Sequence, residues 1–214
     1  MSQKKLQRCW PLWFLKPVRS LQASPLTPLG EELLTEWAQF MTERQEFKVL
    51  QTYKDFELRE YLPCVIAEVR VSAEYSTASS SAFSSLFNYI SQGNKSSQKI
   101  AMTAPVITAQ KAGASESAEW HVSFVMPVGS TISHMPHPND SRVTLRELDT
   151  ETCVAKSFRG KATEELSRKM VKELRASAAK VDIALSDETR ICRFDPPFKP
   201  GFLQYNEIVI PVFI

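Results

Sequence analysis

The sequence predicts an α+β domain in which an antiparallel sheet, or a distorted barrel, carries two helices. Three observations lead there. From Phe47 onward short runs alternate apolar and polar residues, two stretches switch to helical spacing, and the second half of this region repeats the first. A period of two marks strands with one buried face, and a period near 3.6 marks an amphipathic helix. Runs of strands interrupted by helices then favour an α+β layering.

The elements follow in order. Residues 1–28 contain no acid but carry Lys4, Lys5, Arg8, Lys16 and Arg19. Prolines at 11, 17, 25 and 28 oppose a helix there, so this basic extension reads as a disordered tail, with a mitochondrial presequence as the alternative. The compartment expected is therefore the cytoplasm, with the mitochondrion as its alternative. Thr27-Pro28 is a helix start. Leu29, Leu33, Leu34, Trp37, Phe40 and Met41 recur at helical spacing, which predicts an amphipathic helix over 29–44 and a domain over 45–214.

Within that domain FKVLQTY, FELREYL and Cys64 to Val71 read as strands. A helix over 75–92 follows, with Ala82, Phe83, Leu86, Phe87 and Ile90 as its core face and Gly93-Asn94 as its end. Its other side is rich in serine, so packing rather than propensity must hold it. Pro105 to Ala109 and His121 to Pro127 are the next strands, joined by the exposed loop QKAGASESAE. VTLREL and TCVAKSF precede a second helix over 161–180, and TRICRF and NEIVIPVFI close the chain. FELREYLPCVIAEV plus helix matches VTLRELDTETCVAKSF plus helix, pairing Leu58-Arg59-Glu60 with Leu145-Arg146-Glu147 and Cys64-Val65 with Cys153-Val154. A repeat of this kind marks two strand–strand–helix–strand halves that bury a shared core.

Composition narrows the function. The 26 basic and 24 acidic residues nearly balance, which argues against an electrostatic nucleic-acid binder. No run approaches the roughly 18 apolar residues of a membrane span. The four cysteines are dispersed and form no CxxC, which favours a reducing compartment. GxSxG, HExxH, GxGxxG and P-loop patterns are absent, so no catalytic and no metal-ligating residue is assigned, and a non-enzymatic role is expected.

Several segments resemble the SOUL, or haem-binding protein, family. KIAMTAPV, from Lys99 to Val106, is similar to the family's lysine-x-x-Met-Thr-x-Pro-Val signature. SFVMP, PHPNDSRV and VAKSFRG resemble its middle landmarks, and RFDPPFKPGFLQYNEIVIPV, Arg193 to Val212, its C-terminal one. The matches keep the family's order over about residues 47–214. The resemblance implies two pseudo-repeated halves forming a curved antiparallel sheet or distorted β-barrel flanked by two helices. It implies reversible, non-covalent binding of haem or another tetrapyrrole, as a carrier or buffer, with no redox chemistry of its own. The fold also resembles effector-binding domains of bacterial transcription regulators, which hold bulky apolar cations.

A haem site needs an apolar slot and cations for the propionates. The residues expected to form it are Phe83, Phe87, Tyr89, Lys99, Met102 and Glu207. Phe83, Leu86 and Ile90 suit a plain core as well, whereas Phe87 and Tyr89 leave the centre of the stripe. The first helix has no lysine or arginine, so Lys95 and Lys99 must supply the charge. Met102 is expected to fill an irregular gap, and Thr103 to bond neighbouring backbone. No histidine precedes His121, and prolines separate His134 and His137 from any one-face arrangement, so axial ligation is expected to be weak or absent. Glu207 shares a strand face with Tyr205 and Val209. It either pairs with Arg59 or Arg146, or receives a cationic ligand or acts as a base. The alternative function is an interaction module that keeps the fold without the ligand and docks a protein partner through residues 29–41.

Overall fold

The computed structural model describes residues 43–111, 119–196 and 198–213. The extension over 1–28, the helix expected over 29–44 and most of the QKAGASESAE loop lie outside the described residues. Nine strands are β1 (Phe47–Thr52), β2 (Glu57–Tyr61), β3 (Cys64–Ser72), β4 (Val106–Lys111), β5 (Glu119–Val125), β6 (Thr144–Leu148), β7 (Glu151–Arg159), β8 (Glu188–Arg193) and β9 (Tyr205–Pro211). The helices are α1 (Tyr75–Ile90) and α2 (Glu164–Ala179). Among the described residues no helix is long and apolar enough to cross a membrane.

One antiparallel sheet runs β1-β2-β7-β9-β8-β4-β5-β3-β6. Exchanging β2 with β6, β3 with β7, β4 with β8 and β5 with β9 turns β2-β7-β9-β8-β4-β5-β3-β6 into its own reverse. That is the order expected of two repeated halves meeting at a pseudo-twofold axis between β4 and β8, where Ile107 faces Cys192. The repeat read in the sequence is thus a repeat of topology, and the shared core it demanded is a single continuous sheet.

Alternation along each strand divides the side chains between two faces. On one face α1 covers Val65, Ala67, Val69, Val122 and Phe124, and α2 covers Val154, Ile191, Ile208 and Ile210. The other face has no helix, and there Tyr61, Ile66, Ile107, Val125, Cys153, Ala155, Cys192 and Val209 pack together. Cys64, Cys153 and Cys192 are free thiols. Residues 43–46 run beside this region. The amide of Gln45 donates to the Ala104 carbonyl at 3.0 Å, and that of Leu62 donates to Glu46 at 3.1 Å.

The α1 core face differs from the expected one. Its buried residues are Ala78, Ala82, Ser85, Leu86, Tyr89 and Ile90, so the helix is rolled away from Phe83 and Phe87. Ala78, Ala82 and Ser85 are small and let the helix lie close to β3 and β5, and Tyr89 supplies the bulk at the far end. α1 ends at Ile90, two residues sooner than expected, because the Gly93 amide donates to the Asn88 carbonyl at 2.7 Å. A Cβ at Gly93 would lie 2.5 Å from the Asn88 side chain, so only glycine allows that closure. α2 starts at Glu164 because the Thr163 hydroxyl accepts the Leu166 amide as an N-cap.

Candidate functional site

The structure splits the six expected binding residues into three environments. Phe83 and Phe87, one helical turn apart on α1, stack with centroids 5.7 Å apart and planes 12° apart. Phe83 is half-buried, with its edge against Phe124 at 5.4 Å, and Phe87 is 48 % exposed. Lys99 belongs to the same surface. The next turn of that helix row ends at Ser91, which forms an antiparallel bridge with Lys99, and the Ile100 amide donates to the Ile90 carbonyl at 2.8 Å. An aromatic face therefore terminates in an exposed lysine. Met102 follows two residues beyond Ile100 and is also exposed.

Met102 corrects one expectation, for it fills no gap. The inward-facing residues of KIAMTAPV include Ile100, Ala104 and Thr103, whose hydroxyl donates to the Val125 carbonyl, while Met102 points to solvent. The expected backbone bond of Thr103 is thus present. Tyr89 corrects another. It is 1 % exposed inside the α1 core, and its hydroxyl donates to the Pro136 carbonyl at 3.0 Å. A phenol buried at its ring and satisfied at its tip is core, not an accessible ligand contact.

Glu207 lies on the opposite face of the sheet from α1. Arg59 grips it with two N–H groups, at 2.9 Å to Oε2 and 3.2 Å to Oε1, and the Tyr205 hydroxyl donates to Oε1 at 2.5 Å. Arg59 also bonds Glu57 at 2.8 Å and the Tyr61 hydroxyl at 3.2 Å, and its guanidinium lies 4.1 Å from the Phe47 ring centroid. Both carboxylate oxygens are taken within the protein, so Glu207 has its ion partner already. Arg146, the repeat equivalent of Arg59, bonds Glu68 at 2.9 Å instead, and Glu68 also lies 3.3 Å from Nδ1 of His121. Both pairs thus cross between the halves: Arg59 of the first holds Glu207 of the second, and Arg146 of the second holds Glu68 of the first.

Around Glu207 a cavity of about 110 Å³ is lined by Arg44, Phe47, Tyr61, Ile107, Phe194 and Tyr205, among others. Arg44 lies over the Phe194 and Tyr205 rings at 5.1 and 5.9 Å. Sequence reasoning named Glu207 and Tyr205 here but not Arg44, Phe47, Tyr61 or Phe194, because nothing local links those distant segments. A cavity near 150 Å³ accepts a benzene ring, so this one is too small for a tetrapyrrole. A second cavity of about 150 Å³ lies between residues 43–46 and Pro63–Val65. Neither is lined by Phe83, Phe87 or Lys99. Among the described residues no three His, Cys, Asp or Glu side chains converge to hold a metal.

Burial sets the titration of the Glu207 environment. It pushes the Tyr205 phenol from 10.0 up to about 12, helped by the hydrogen bond to Glu207, and the Cys192 thiol from 9.0 up to about 12. Tyr61 rises further still for the same reason. A group whose folded pKa is raised holds its proton better when folded, so its stabilisation is complete below the unfolded value and is lost as pH rises toward the folded one. Urea midpoints are therefore expected to hold steady up to about pH 9 and to fall between there and pH 12. A flat midpoint across that window would contradict burial of these groups.

Comparison with known proteins adds three findings. The family model described as SOUL heme-binding protein matches residues 42–211. Heme-binding protein 1 of Xenopus tropicalis is 27% identical over 156 residues, 72% of this chain and 81% of that protein, and Heme-binding protein 1 of Xenopus laevis is 28% identical over the same shares. Among solved structures, the EcmrR C-terminal domain superposes with a TM-score of 0.57 at 15% identity, covering 78% of this chain and 98% of that one. An uncharacterized conserved protein from Listeria innocua gives 0.52 at 12% identity, covering 84% and 98%. At these identities the structural likeness is one of fold.

Proposed function

The chain belongs to the SOUL haem-binding protein family, and from that premise we propose that it binds haem or a related tetrapyrrole reversibly and without catalysis, as a carrier or buffer. The ligand lies on the α1 surface made by Phe83 and Phe87, with Lys99 at its end. The observation that carries this reading is the stacked pair with Phe87 left half in water. A folded protein has no packing reason to leave such a ring out when Tyr89 of the same helix is enclosed. Two parallel rings suit the face of a flat macrocycle, and the Lys99 ammonium suits a propionate at its edge. Met102 adds apolar contact beside them. Glu207, across the sheet and held by Arg59, serves the fold rather than the ligand.

Iron would supply redox and axial-ligand chemistry when haem is bound. The protein's part is to shield one face of the ring and orient its acid groups. His121 lies across the sheet beside Glu68, and His134 Nδ1 is hydrogen-bonded to Thr131 Oγ1 at 2.8 Å. Haemin and iron-free protoporphyrin are therefore expected to bind with similar affinity. Replacing His134 and His137 with alanine should change haemin affinity no more than about threefold, under 1 kcal/mol. Absorbance titration of the purified chain reads both. Saturable haemin binding without protoporphyrin binding would show that the iron is ligated, and no saturable change with either would end the haem reading.

A further inference from the structure

The segment between β8 and β9 exposes apolar surface that neither core nor proposed haem site uses. Phe198 is 85 % and Phe202 76 % exposed, with Leu203 beside them. The Asp195 carboxylate anchors the segment by accepting the Tyr205 amide at 2.6 Å and the Lys199 ammonium at 2.8 Å. Gln204 Nε2 donates to the Lys199 carbonyl at 3.0 Å, and the Gly160 amide to the Gln204 carbonyl at 3.0 Å. The two aromatics are thus held outward by a tied turn.

The backbone of this turn offers few free donors. Residues 196, 197 and 200 are prolines and have no N–H. The amides of Lys199, Leu203 and Gln204 donate to the carbonyls of Pro196, Pro200 and Gly201. Among the described residues of 196–204, Phe198, Gly201 and Phe202 keep an N–H outside this set. A partner strand would need a run of free amides to pair with, which this turn does not present, whereas the three that remain can stay hydrated at headgroup level in a shallow anchor. The charges agree. Arg159 and Lys161 flank the turn, while Lys199 and Asp195 neutralise each other; in the adjoining turn of α2, Glu164 is paired with Arg168 and leaves Glu165 as the opposing acid.

We propose that the Phe198–Phe202 turn is a lipid-interface anchor, inserting its two phenylalanines at the acyl boundary of a membrane with anionic headgroups while Arg159 and Lys161 stay at headgroup level. Burying two rings gives a marginal, reversible attachment of the kind expected for a single shallow anchor.

The test is flotation of the full chain with phosphatidylcholine vesicles, with and without phosphatidylserine, at lipid concentrations giving half-maximal wild-type binding. Phe198→Ser/Phe202→Ser should lower partitioning about tenfold or more on both vesicle types. Lys161→Glu should lower it about fivefold on the phosphatidylserine vesicles and little on phosphatidylcholine alone. Both variants change exposed side chains and should keep the wild-type urea midpoint and haemin affinity. Equal partitioning of wild type and the double serine variant, or no partitioning at all, would overturn the anchor. So would loss of haemin binding in the double variant, which would place the turn in the haem site.

Discussion

Arg59→Met is expected to destabilise the domain by about 3–5 kcal/mol, the largest effect of any single change considered. Methionine fills much of the arginine's apolar volume over Phe47, so the loss is not chiefly one of packing. The cost comes from Glu207, a buried carboxylate that loses two charge-assisted bonds and keeps only the Tyr205 hydroxyl. For a domain of this size the melting temperature should fall on the order of 10 °C. Arg59→Met/Glu207→Leu should recover most of the loss, because removing both charges also removes the desolvation penalty. It should also bind haemin like the wild type. If the double variant is as unstable as the single one, packing around the guanidinium is the main contribution. If it is stable but loses haemin, the ligand sits on the Glu207 face.

The second large effect is on binding. Phe87→Asp should weaken haemin by about tenfold or more, since it replaces an apolar contact worth about 1 kcal/mol, the exposed half of the ring, with a charge that also repels propionates. The same change should lower stability by only about 1–2 kcal/mol, because Phe87 is half in solvent and loses chiefly its stack on Phe83. This separation of affinity from stability distinguishes a ligand surface from a patch of imperfect core. Unchanged haemin affinity in Phe87→Asp, with saturable binding retained, would move the site off α1.

How far the sequence reached can be read from particular residues. The strands and both helices were legible because hydrophobic period is local, and the matching Leu-Arg-Glu segments foretold a topology that reverses onto itself. Thr103 was legible too, since a hydroxyl beside a strand start has few other partners. The rotation of α1 was not. Phe83 and Phe87 are more apolar than Ser85 and Tyr89, and a stripe drawn by hydrophobicity buries the phenylalanines. The helix buries the serine instead, because close approach to β3 and β5 requires small side chains and the Pro136 carbonyl waits for the tyrosine hydroxyl.

By itself the sequence determined the kind of object this protein is: a duplicated α+β sheet of the haem-binding family, with Glu207, Tyr205 and Val209 sharing a strand face. Only the tertiary structure decided that Arg59, 148 residues away, takes Glu207 while its repeat equivalent Arg146 takes Glu68. It alone put Glu207 and Phe87 on opposite sides of one sheet. The reason is that which face a strand shows is written in alternate residues, whereas which strand lies next to it is settled by packing between segments that share no local pattern.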